Sequence, residues 1–177
     1  MRLTHLLALG VAFLAGCAST SEVYQLPPAV ETALATPPES NFATAPFADS
    51  SIADSQKTLG YWKKLKEIVE RKSSDDLKTA MAECKHSVNE IRKIPAVGVD
   101  GELLATSEHA ARTLERLLIV GDFAMELTKS EARRLGLDRS ILNLWEQSNQ
   151  SVSQLKGLRA KLSNRYGIEF PSMESPN

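Results

Sequence analysis

The chain has 177 residues, 42% of them hydrophobic, enough to bury the core of one domain with sequence to spare. Its formal net charge of -1 at pH 7 argues against a general polyanion binder, and no nucleic-acid partner is expected. The charge is unevenly placed: residues 18–56 hold Glu22, Glu31, Glu39, Asp49 and Asp54 but no Lys or Arg, so a mild basic excess falls on residues 57–177.

Residues 1–16 have the three parts of an export signal: the charge of Arg2, an apolar run from Leu6 to Leu14, and the small residues Ala15 and Gly16 before Cys17. The apolar run is shorter than the roughly 20 residues a helix needs to cross a bilayer. Leu14-Ala15-Gly16-Cys17 resembles the lipobox of bacterial lipoproteins, a resemblance confined to the first eighteen or so residues. It implies cleavage before Cys17, acylation of that cysteine with palmitate-type chains, and a membrane of the cell envelope as partner. Ala18, in place of an aspartate, implies the periplasmic face of the outer membrane in a cell with two membranes. One acyl chain binds only reversibly, so stable anchoring requires the several that the resemblance supplies. With Cys17 committed to lipid, Cys84 has no partner for an intramolecular disulfide and reads as a small buried hydrophobe.

Residues 17–54 are rich in Ala, Pro, Ser and Thr, and Pro27-Pro28, Pro37-Pro38 and Pro46 leave no room for a helix of useful length. This segment is expected to be a disordered tether. Tyr24, Phe42, Phe47 and Ile52 are its scattered apolar residues.

From about Ser55 to residue 170 helical periodicity predicts an all-α domain, a long antiparallel bundle of about three helices. Leu77, Met81, Cys84, Val88 and Ile91 follow steps of four and three along one face of a helix ending near Ile94-Pro95. Trp62, Leu65 and Val69 make an earlier stripe about 110° out of phase at 100° per residue, so the first helix is kinked or split near residues 72–76, where Asp75 or Asp76 can cap a new start. Asp100 is placed to cap a second helix, with Leu104, Ser107, Ala111, Leu114, Leu118, Gly121 and Met125 facing the core, flanked by Leu103, Ala110, Leu117 and Ala124. After a turn at Leu135-Gly136-Leu137, a third helix runs from about Asp138 or Ser140 to Arg165, with Ile141, Trp145, Ser148, Val152, Leu155 and Leu162 inward. Residues 171–177, and Phe170 before them, read as a loose tail.

One face exceeds what a three-helix bundle needs. Ile119, Phe123 and Leu127, with Val120 beside them, lie nearly opposite the Leu114 stripe and call for a third neighbour. Either the Trp62 segment folds over them or a partner covers them, so these four residues are the candidate interaction site. Catalytic, cofactor and metal motifs are not found: His86 and His109 stand apart from any ligand pattern, Asp75 and Asp76 point about 100° apart, and the Lys63/Lys64/Lys66 group is flanked by Glu67 and Glu70. The expected function is therefore a lipid-anchored envelope protein with a non-enzymatic helical scaffold or interaction domain, binding an envelope protein or a second copy of itself. The alternative is a small envelope enzyme, or a ligand or metal carrier, with a pocket between helices.

Overall fold

The computed structural model describes residues 26–35, 53–71, 74 and 76–173, the side chain of Leu77 excepted. The signal segment and Cys17, along with Lys72, Ser73, Asp75 and residues 174–177, lie outside the described residues. The described chain is all-helical. Its elements are α1 (Pro28–Ala35), α2 (Ser55–Val69), α3 (Leu77–Lys93), α4 (Gly101–Glu126), α5 (Lys129–Arg134) and α6 (Leu137–Tyr166).

Helix starts follow local capping chemistry. The side chains of Asp54, Asp76 and Asp100 accept backbone N–H groups at the first turns of α2, α3 and α4, so the first periodic stretch is two helices. Thr128 and Glu131 close a reciprocal capping box on α5, a short helix the periodicity did not announce. Gly136, at φ 67°, turns the chain into α6, and Gly167, at φ 64°, ends it in the left-handed conformation that a Cβ disfavours.

The long helices α4 and α6 make the most extensive contact in the molecule. On α4, Leu103, Thr106, Ala110, Thr113, Leu117, Val120 and Ala124 are buried at alternating steps of three and four. On α6 the same rhythm runs through Leu144, Ser148, Ser151, Leu155, Leu158 and Leu162. This period of 3.5 is the seam spacing of coiled coils. Near its middle the seam is made of small residues, which permits close approach of two backbones. Their hydroxyls are satisfied at home, since Thr106 donates to the Glu102 carbonyl, Thr113 to His109 and Ser151 to Gln147.

A second stripe on α4, about 100° away, holds Ser107, Ala111 and Leu118 and faces α2 and α3. Here the Tyr61 hydroxyl meets Ser107 at 2.8 Å, and Arg92 grips Glu115 through both carboxylate oxygens at 3.0 and 2.7 Å. Ser107 spends its proton on the Leu104 carbonyl, so Tyr61 is the donor of the pair. As expected, Met81, Cys84, Val88 and Ile91 are the buried face of α3.

Several expectations are corrected. Met125 is 38% exposed rather than in the core, and Leu103 and Leu117 are buried more deeply than Leu104 and Leu114. Trp145 is half-buried at the edge of a second cluster, and the deeply buried tryptophan is Trp62. Residues 170–173 are not loose: Phe170 is fully buried, Met173 nearly so, and the Pro171 carbonyl accepts the Trp62 indole N–H at 2.8 Å. Trp62 and Phe170 meet edge to face with centroids 5.8 Å apart, a favourable aromatic geometry. The segment after α6 therefore closes one end of the main core, for which it carries no periodic signal because it is not a helix. Finally, residues 28–35 of the expected tether form α1. Pro28 occupies its first turn, where the missing N–H costs nothing, so the proline pair starts a helix instead of preventing one.

Candidate functional site

Two constellations stand out, one polar and one apolar. The polar one joins the start of α4 to the end of α6. Asp100 is fully buried, and its Oδ1 accepts the N–H groups of Glu102 and Leu103 at 3.0 and 3.1 Å. Its Oδ2 accepts from Arg165 Nη1 at 2.5 Å and from the Tyr166 hydroxyl at 2.8 Å, while its own N–H donates to Thr58 of α2 at 3.1 Å. Glu102 extends the cluster to Arg165 and Lys161, each at 2.9 Å. Burial alone would raise the Asp100 pKa, but the hydrogen bonds from Tyr166, Arg165 and Leu103 outweigh it, and the carboxyl lies below its usual range. Both carboxylate oxygens are occupied by the protein's own donors. The cluster thus acts as a joint between α2, α4 and α6.

The apolar constellation is the second half of α4, where the candidate residues lie. The structure places Val120 at 0% exposure, within a cluster that includes Val30, Ala33, Leu117, Ala124, Ala132, Leu137 and Leu144. Ile119, Phe123 and Leu127 pack against this cluster yet remain only partly buried. The four residues expected on one face are therefore brought together. The Trp62 segment is not their cover: it joins the other core with Leu103, Leu162 and Phe170, and α1 packs at this face instead.

The residues missed from sequence are those of α1. Val30 and Ala33 are buried at 3% and 4% exposure, and Leu26 and Leu34 pack beside them. The spacing of Val30, Ala33 and Leu34 is the signal that could have found them, because it marks one helical face. At eight residues α1 is below the length of about 12–15 at which an isolated helix holds in water, so docking sustains it. Arg116, beside the Phe123 face on α4, donates from Nε to the Ala33 carbonyl at 2.7 Å and so caps the last turn of α1. Burial lowers the Arg116 pKa, although the group stays cationic at neutral pH. Two buried side chains, one of them alanine, contribute only a few kcal/mol, about 2–3 for Val30 and less for Ala33.

Other candidates gain little support. Cys84 is buried beside Val88, and burial pushes its thiol up to about 11, away from nucleophilic character at neutral pH. His86 is exposed and lies 3.6 Å from Glu90. Among the described residues no group of three His, Cys, Asp or Glu side chains could hold a metal ion, and no helix is long and apolar enough to cross a membrane. Trp145 Nε1 and Gln147 Oε1 are buried without a hydrogen-bond partner, but two positions apart on one helix they point roughly 200° from each other and do not line a common pocket. Lys63 and Lys64 are exposed on α2, and Lys66 pairs with Glu70 one turn on. Comparison with protein-family models, curated proteins and solved structures finds no match to this chain.

Proposed function

We propose that this chain is a lipid-anchored envelope protein whose helical domain is a non-enzymatic scaffold that binds another protein through the Ile119/Val120/Phe123/Leu127 face of α4. In this reading Cys17 carries the acyl chains, residues 18–54 connect it to the domain, and the protein lies on the periplasmic side of an outer membrane. The rigid part is an up-down-up bundle of α3, α4 and α6. Supporting that arrangement, Met81 near the start of α3 lies by Gly121 near the end of α4, Arg92 at the other end of α3 pairs with Glu115, and Arg165 at the end of α6 meets Asp100 at the start of α4.

The observation that carries the reading is that α4 presents three apolar faces. Two are filled by long helices, while the third meets the eight-residue α1, in a cluster that also takes in Ala132 of α5, and leaves Ile119, Phe123 and Leu127 half-covered. A surface of that kind suits the apolar face of a partner helix. Site-specific photocrosslinking from position 123 of the full-length chain in intact envelopes tests it. Adducts of defined mass that disappear when Ile119→Glu is added on the same face are expected, and an absence of adducts above those from the exposed α2 position Lys63 would overturn it. A Cys17→Ser chain is expected to lose the acyl mass and move from the membrane to the soluble fraction.

A further inference from the structure

α1 belongs to the segment between Cys17 and the main domain, yet it is docked on the domain's middle helix. The next described anchor along the chain is the Asp54 N–H, which donates to the Gly98 carbonyl at 2.8 Å beside the start of α4. Both ends of the intervening stretch are thus held by the domain. What holds α1 is modest: buried Val30 and Ala33, partial burial of Leu26 and Leu34, and the Arg116 bond to Ala33. A helix too short to persist alone unfolds as it leaves, so docking and helix formation are a single event.

We propose that α1 is a releasable strap: docked, it covers the Ile119/Phe123 side of α4 and keeps the domain near its anchor; released, it uncovers that side and lengthens the tether. The second half of this inference rests on the lipid-anchor reading, and the first does not. With α1 docked, the chain from Cys17 to Leu26 reaches at most about 32 Å even fully extended. With α1 released, the covalent limit is set by the span from Cys17 to Ala53, about 130 Å. The same step that uncovers a partner-binding face therefore lets the domain move away from the lipid surface. A partner that binds that side of α4 better than α1 shifts the equilibrium toward the extended state by its preference for that state.

The full-length acylated chain in phosphatidylethanolamine/phosphatidylglycerol vesicles allows both halves to be read. In one arm Ala33→Cys, on the buried side of α1, is labelled with a maleimide, with and without Val30→Ser; release is expected to speed labelling by about tenfold or more, and equal rates overturn the strap. In the other arm a donor dye at Lys63→Cys reports energy transfer to acceptor lipid, expected to fall at least twofold with Val30→Ser. Arg116→Ala loosens the opposite end of α1 and should move both readouts in the same direction, while thermal melts check that α2 to α6 remain folded. Unchanged transfer, with labelling accelerated, overturns the reach half alone. If the chain fails to float with vesicles and carries no acyl mass, the anchor reading fails, and the labelling arm still decides the strap.

Discussion

Replacing Asp100 with alanine removes the side chain that ties the start of α4 to the end of α6, while the backbone N–H bond to Thr58 of α2 remains. Loss of the N-cap on α4 costs about 1 kcal/mol, and the Arg165 and Tyr166 donors lose a fully buried acceptor. Breaking a buried pair costs about 3–5 kcal/mol, but Arg165 is 38% exposed and regains water, so the larger figure is discounted. The expected total is about 2–4 kcal/mol, or a fall in Tm of roughly 4–16 °C for a chain of this size. Asp100→Asn keeps an oxygen for the cap but turns an amide donor toward Arg165 and Tyr166, and is expected to fall between the two.

The pH dependence has a definite sign. The folded carboxyl lies below its ordinary value, so its stabilisation is complete above the unfolded value of roughly 3.9 and is lost as pH falls through the folded one. Urea unfolding followed by circular dichroism, on the chain from Ala18 onward, should show a wild-type to Asp100→Ala gap that is constant from about pH 5 to 8 and narrows in stronger acid. A gap below about 0.5 kcal/mol at pH 7, or one that widens in acid, would refute the joint.

Deleting residues 168–177 removes Phe170 and Met173 from the main core and leaves Trp62 without its acceptor, so about 3–5 kcal/mol of stability should be lost in the same urea assay; a change within about 0.5 would restore the loose-tail reading. Gly157→Ala, in mid-helix with nothing within 4 Å of the new Cβ, should stabilise by about 0.5–1 kcal/mol, whereas Gly167→Ala, with equal space but φ 64°, should destabilise by about 1. Opposite signs are the test, since the two sites differ in backbone and not in room. Cys84 should resist alkylation at pH 8 in the folded chain and react promptly in urea, because burial holds its thiol at about 11; fast labelling of the native protein would show that the α3 face opens.

The fold class, the caps at Asp76 and Asp100, the split of the first helical stretch and the buried face of α3 were all legible in the sequence. Each depends on residues within a few positions of one another: a carboxylate beside the N–H groups it accepts, or apolar side chains repeating along one helix. The candidate face was legible for the same reason, since Ile119, Phe123 and Leu127 share one side of α4 whatever lies against it. The occupant of that side, the burial of Phe170 and Met173, and the place of Trp62 were decided by tertiary structure. α1 is too short to be helical on its own, and the segment around Phe170 has no repeating pattern, so neither carries a strong local signal; both are ordered by surfaces that exist only after α4 and α6 have packed. The sequence by itself determined which faces need covering, because periodicity is local. Only the assembled chain determined what covers them, because burial is a property of the partner as much as of the residue.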